Sequence, residues 1–201
     1  MRVIALNCTL KTSDAESSTE RLLSEVLEEL ARHEATGEIV RVADLNIKPG
    51  VTSDEGPGDD WPALRQRILD ADILVVGTPI WLGQPSSVCK RILERMDAFL
   101  SETDEQGRMV SFGKVAAVAV VGNEDGAHHV CAELYQALND VGFSLAATAG
   151  TYWVGEAMQG TDYKELDETP AEVARATQMM ARNAAHLAGL LGADEYPGTT
   201  D

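Results

Sequence analysis

A doubly wound α/β domain built on a parallel sheet is what the sequence predicts, and three observations carry the prediction. Strand patterns alternate with helix patterns along the chain. Two of the strands, Asp72–Gly77 and Val115–Val121, are apolar on both faces, as strands covered by helices on both sides must be. The 201 residues suffice for one substantial core and argue against two large domains. Residues 1–191 are therefore assigned to a single domain and 192–201 to a polar tail.

Arg2–Asn7 reads as the first strand. Ser18–Arg32 follows as a helix, with Leu23, Val26, Leu27 and Leu30 at helical spacing, a capping box in Ser17-Ser18-Thr19-Glu20 and a stop at Gly37. Glu38–Ala43 is the second strand, and the acidic, Gly- and Pro-rich stretch NIKPGVTSDEGPGDDWP after it has the composition of a mobile surface loop. Pro62 suits the first position of a helix running to Asp70. Strand Asp72–Gly77 leads to a helix over Ser86–Leu100 and, after the excursion SETDEQGRMVSFGK, to strand Val115–Val121. A helix over His128–Val141, a fifth strand over Ser144–Thr151, a loop carrying Tyr152, Trp153 and Tyr163, and a last helix over Thr169–Leu191 complete the order. Right-handed crossovers give the strand order 2-1-3-4-5.

Composition narrows the function. Hydrophobic residues make up 44% and charged residues 24%, values ordinary for a soluble globular protein. No apolar run approaches the roughly 20 residues of a transmembrane helix, and MRVIAL enters a strand directly without a signal-peptide core, so a cytoplasmic protein is expected. The net charge of −17 repels nucleic acid and anionic membranes, which are excluded as partners. Cys8, Cys89 and Cys131 are odd in number, far apart and never in a C-x-x-C pair. They read as small buried hydrophobes, and no metal site is indicated.

In a sheet of order 2-1-3-4-5, ligands bind at the carboxyl ends of the strands where the winding reverses. That selects three loops: Asn7–Ser18, Thr78–Pro85 and Gly122–Ala127. The first is rich in hydroxyls, carries Lys11 and ends at a helix N-terminus. It fits either a phosphate cradle or a plain helix cap, and it contains neither a P-loop nor a G-x-G-x-x-G fingerprint. The second, TPIWLGQP, offers backbone groups beside apolar surface, with Gly83 permitting close approach. A planar heteroaromatic ligand and a turn with Trp81 in the core both fit it. His128 and His129 are adjacent and do not share a helix face, which makes them a poor metal pair.

Taken together these residues resemble the NAD(P)H-dependent FMN reductases of the flavodoxin-like fold. The family's S-P-R loop followed by N-T or S-T corresponds here to Thr9-Leu10-Lys11 and Ser18-Thr19. Its T-P-I-Y segment, small Gly/Ser loop and basic helix correspond to Thr78-Pro79-Ile80-Trp81-Leu82-Gly83, Ser86-Ser87 and Val88-Cys89-Lys90-Arg91, with Glu94-Arg95 beyond. The glycine-containing loop after its fourth strand corresponds to Gly122-Asn123-Glu124-Asp125-Gly126. The resemblance covers residues 1–150 or so and implies FMN as cofactor with NAD(P)H as donor. It places Thr9, Lys11, Ser17, Ser18 and Thr19 at the phosphate, and Pro79, Ile80, Trp81, Leu82 and Gly83 along the isoalloxazine ring. Asn123, Glu124, Asp125 and Gly126 then fall at the other edge of the ring, with His128 a candidate to face it. Lys11 in place of the family's Arg gives up bidentate phosphate geometry.

The resemblance further implies an oxidoreductase passing hydride from the nicotinamide through FMN to a small acceptor such as a quinone, an azo compound or free flavin. No residue is expected to act as catalytic nucleophile, acid or base. It also implies a homodimer or homotetramer, here through the helix after Pro85, with Tyr152 and Trp153 either covering a neighbouring subunit's flavin or packing without ligand. The alternative is a flavodoxin-type electron carrier serving a protein partner; acidity suits it, but Cys8-Thr9-Leu10-Lys11-Thr12 lacks the flavodoxin phosphate loop pattern.

Overall fold

In the computed structural model, which describes residues 1–156 and 159–199, the sheet is wound from both directions around β1 (Arg2–Asn7) and β3 (Ile73–Trp81). Its order is β2-β1-β3-β5-β6, all parallel, where β2 is Thr36–Arg41, β5 is Val115–Gly122 and β6 is Ser144–Val154. The two-residue β4 (Gln84–Pro85) pairs antiparallel with the end of β3. This is the 2-1-3-4-5 winding expected, with one small hairpin added.

Strand side chains alternate between two cores. Val3 and Ala5 of β1, with Ala117 and Ala119 of β5, face α1 (Ser18–Ala31) and α5 (Ala171–Ala193). Ile4 and Leu6, with Val118 and Val120, face α2 (Trp61–Leu69), α3 (Ser87–Met96) and α4 (Ala127–Asp140). Serines set two helix starts: Ser17 accepts the Glu20 N–H at 3.3 Å, and Ser86 accepts the Cys89 N–H at 3.0 Å. Cys8, Cys89 and Cys131 are buried and free. A hydrogen bond with Cys89, together with burial, raises the Cys8 thiol pKa, and burial pushes Cys131 up to about 11, so both behave as hydrophobes.

Several boundaries move. Thr78-Pro79-Ile80-Trp81, read as loop, continues β3, because Thr78 and Pro79 stay in register with Val120 and Val121 of β5. The hairpin then turns on Leu82 and Gly83, both at positive φ (52° and 73°), the pattern of a type I′ turn. The helix expected to reach Leu100 ends at Met96 and passes into a 3-10 turn over Asp97–Ser101. β6 runs to Val154, taking Tyr152 and Trp153 out of the loop, and accommodates its extra length in a bulge where its register against β5 jumps from Leu145 to Gly150.

The acidic connection expected to be mobile is instead clamped. Asp59 accepts N–H bonds from Lys48, Glu55 and Trp61 and pairs with Arg95 at 2.8 Å, both side chains fully buried. Arg95 also donates to the carbonyls of Lys48 and Thr52 and lies over the Trp61 ring. Composition suggested a loop correctly; an ion pair between distant residues fixes it.

The polar tail begins after Ala193, and it packs. Arg108 pairs with Glu195 at 2.5 Å, and Tyr196 places its ring 5.5 Å from Phe112 and its hydroxyl 2.9 Å from Ser144 Oγ. No described helix is long and apolar enough to cross a membrane.

Candidate functional site

At the carboxyl ends of β1, β3 and β5 the described residues enclose a cleft of about 230 Å³. Larger hollows exist, one of about 380 Å³ near Arg2, Thr36 and Arg67 at the opposite end of the sheet and one of about 460 Å³ beneath Tyr196. Position decides among these three, since the 230 Å³ cleft is the one at the switch point between β1 and β3 where such sheets bind ligands; a further hollow of about 240 Å³ beside it, between Leu10, Val42 and Ser87, does not reach the loop after β5.

One end of the cleft is polar. It is formed by Thr9, Lys11, Ser17, Ser18 and Thr19, the residues that the family resemblance places at a phosphate. The loop after β1 is held from outside by groups the sequence reading missed. Arg41, 7% exposed at its side chain, donates from Nη1 to the carbonyls of Lys11, Thr12 and Ala15 and pairs with Glu20. Asp44 accepts the Ser13 N–H at 2.8 Å, and Ser86 Oγ donates to the Cys8 carbonyl at 2.5 Å. With its carbonyls tied down on Arg41, the loop has hydroxyls and N–H groups left for the cleft. The Ser17 hydroxyl accepts the Glu20 N–H and its carbonyl the Arg21 N–H, so that among the described residues the N–H groups of Ser18 and Thr19 remain as orphan donors at the positive end of α1.

The other walls are flatter and more apolar. Pro79, Ile80 and Trp81 of β3 form one side, Val121, Gly122, Asn123 and Glu124 the second, and Trp153 and Tyr163 the third. Trp153 and Tyr163 rings lie 5.3 Å apart. Tyr163 is fully buried; burial and then its hydrogen bond to Glu25 raise its pKa well above the ordinary value. It is therefore a neutral phenol, a wall and not an acid. Asn123 reaches across to Asp162 at 3.3 Å and closes the back of the cleft.

Five expected residues do not line it. Leu82 is 91% exposed at the hairpin tip, and Gly83 beside it packs against Gly126, where a Cβ on Gly126 would stand 2.7 Å from the Gly83 Cα. These two glycines join the hairpin to the loop after β5 and so set the spacing of two cleft walls. Asp125 is exposed. His128 is exposed at the start of α4 and hydrogen-bonds Tyr152 at 2.8 Å. Conversely Trp153, Asp162, Tyr163 and Lys164 come from the region after β6, where no motif marks them.

The lining fits FMN. A hydroxyl-rich cradle on a helix N-terminus is built for a phosphate, and apolar walls that include two tryptophans suit a flat ring system. Glu124 Oε1 is buried at the cleft wall and lacks a hydrogen-bond partner among the described residues, so it requires a donor such as the ring N–H of a flavin. No group of three or more His, Cys, Asp or Glu among the described residues could hold a metal.

Comparison with known proteins agrees. The family model described as NADPH-dependent FMN reductase matches residues 1–159. The 8-demethyl-8-aminoriboflavin-5'-phosphate synthase of Streptomyces davaonensis is 32% identical over 211 residues, covering 100% of this chain and 81% of that protein. A solved structure of RosB with bound intermediate 8-demethyl-8-formylriboflavin-5'-phosphate superposes with a TM-score of 0.90 at 30% identity, covering 98% of this chain and 82% of that one. The divalent metal cation transporter MntH of Mycobacterium bovis is 34% identical over 200 residues, but this chain spans only 29% of its length.

Proposed function

Because this chain belongs to the NADPH-dependent FMN reductase family, we propose that it is an FMN-dependent oxidoreductase that uses NAD(P)H to reduce a small acceptor such as a quinone, an azo compound or free flavin. The observation that carries the reading is the single cleft at the switch point. It combines a phosphate-type cradle at α1, flat apolar walls and an unpartnered Glu124 oxygen. When bound, FMN supplies the capacity to accept a hydride from a nicotinamide and return it to another molecule.

The residues bind, orient and shelter. Thr9, Lys11, Ser17, Ser18 and Thr19 take the phosphate; Pro79–Trp81 and Trp153 flank the ring; Glu124 accepts from its polar edge. Trp81, 54% exposed, leaves the outer side of the cleft open to a second planar molecule. No side chain of the cleft is assigned a proton-transfer role. The enzyme is proposed to be cytoplasmic and to form a homodimer, in which Trp81 and Leu82 at the hairpin tip, next to the charged outer face of α3, become covered.

The test is spectroscopic. Purified protein supplied with FMN should show flavin absorption bands that bleach within seconds on adding NADPH or NADH without oxygen and return when an acceptor is added. The flavin should be recovered chemically unchanged by mass spectrometry. Similarity to a flavin-phosphate synthase favours a second reading, in which the flavin phosphate is the substrate. Bands indifferent to both nucleotides, together with a changed flavin mass, would establish that reading in place of the first. Bands indifferent to both nucleotides with an unchanged flavin would point to the electron carrier.

A further inference from the structure

We infer that Lys164 is a phosphate-recognition residue, so that the FMN phosphate sits between two lysines, Lys11 from the loop after β1 and Lys164 from the turn after β6. The inference rests on the reading of the cleft as an FMN site.

Three observations carry it. First, the backbone of Lys164 is pinned onto the helix end that forms the cradle. Its N–H donates to Ser18 Oγ at 3.2 Å, and Arg21 at the next turn of α1 donates to the carbonyls on either side, Tyr163 at 2.9 Å and Leu166 at 2.6 Å. A reciprocal cap between Asp162 and Glu165 and the Tyr163–Glu25 hydrogen bond complete the anchor. Second, the side chain lines the cleft with Lys11, Ser17, Ser18 and Thr19 and is only 24% exposed. Third, its ammonium has no tight counter-ion among the described residues. Glu16 stands at 3.5 Å on a side chain 87% exposed, and Glu165 at 3.9 Å on one 51% exposed.

Such loosely held pairs contribute little and are easily exchanged. A phosphate dianion on Ser18 and Thr19 offers more charge at a fixed place, and a charge-assisted hydrogen bond to it is stronger than either pair. The arrangement also answers the absence of an arginine in the loop after β1. One guanidinium fork grips a phosphate from one side; two ammonium groups, one from the loop after β1 and one from the turn after β6, supply the charge as separate points. In a chain with 33 acidic and 16 basic side chains, two lysines converging on one cradle offset the nearby Asp14 and Glu16.

Lys164 therefore gives discrimination for FMN over riboflavin, which has the same ring and no phosphate. The experiment titrates flavin-free protein with each flavin separately, following quenching of flavin fluorescence, for wild type, Lys164→Met and Lys164→Arg. Wild type should bind FMN more tightly than riboflavin. Lys164→Met should weaken FMN roughly tenfold or more, leave riboflavin unchanged and make FMN binding less sensitive to salt, while Lys164→Arg recovers most of the loss. Equal binding of FMN by Lys164→Met and wild type would overturn the inference. So would an equal loss of both flavins, which would mean the turn and not the charge had failed. Should wild type bind neither flavin, the reading of the cleft itself falls, and the inference with it.

Discussion

Leu82 holds a backbone conformation that its side chain disfavours. A type I′ turn needs positive φ at both central residues, which Gly, Asn and Asp tolerate and a γ-branched leucine does not, and here the side chain is 91% exposed and buys no core contact. Replacing it, Leu82→Asn, should stabilise the monomeric fold by about 1 kcal/mol in urea denaturation; unchanged or lower stability would mean the leucine is already covered by something. The same scale explains what the sequence could reveal of the site. The cleft positions of Thr9, Lys11, Ser17, Ser18 and Thr19 were legible because they follow β1 or start α1 at the switch point, and those of Pro79, Ile80 and Trp81 because they stand at the carboxyl end of β3, as part of the strand and not of a loop. Glu124 was legible as a position but not as an orphaned carboxylate, since burial of one oxygen depends on walls supplied from elsewhere. His128, offered only as a candidate to face the ring and also readable as a surface histidine at a helix start, lies outside, because the last residues of the loop after β5 turn away where Gly126 meets Gly83.

Among the elements, the segment between β2 and α2 shows how one distant arginine can override composition. Arg95 lies on the inner face of α3, and without it Asp59 would be a buried charge with backbone donors alone. Arg95→Met should cost about 3–5 kcal/mol of unfolding free energy, the range for breaking one side of a buried pair. The pH dependence has a definite sign. Burial acts to raise the Asp59 pKa, but the Glu55 N–H, Arg95 and the N–H groups of Trp61 and Lys48 outweigh it and hold the carboxyl at about 2, below its unfolded value of about 3.8. Its contribution is complete above pH 4 or so and is lost as pH falls towards 2. Thermal melts across that interval should fall in wild type and fall less in Asp59→Asn; parallel curves would refute the assignment. Strand and helix cores were both readable because alternation, buried runs and helical spacing are local signals, and α1, α2, α4 and α5 fall within two residues of their expected bounds. The hairpin and the bulge in β6 were not readable, as the first depends on pairing of β3 with β4 beyond its ladder with β5 and the second on register against β5.

At the scale of the whole molecule, the net charge of −17 and the exposed Trp81 and Leu82 pull association in opposite directions. Like-charged chains repel, and added salt screens that repulsion without weakening apolar burial. Light scattering should therefore show the proposed dimer tightening as sodium chloride is raised from about 20 to about 300 mM, and Leu82→Asn should loosen it. A mass that stays monomeric at all salt and protein concentrations would dismiss the dimer. The winding order and the place of the cleft follow from strand patterns within residues 1–154, whereas the wall made by Asp162, Tyr163 and Lys164 belongs to a stretch without pattern whose position is dictated by Arg21, Glu25 and Ser18. That division has a consequence for synthesis. As the chain leaves the ribosome, strands β1, β3 and β5 and the serine-rich start of α1 can assemble before residues 162–166 and α5 emerge, so a growing chain holds an open, half-charged cradle. Capture of FMN by the proposed site then waits until residues 162–166 and α5 have emerged, and free FMN acts as a ligand that favours such chains over shorter, stalled ones.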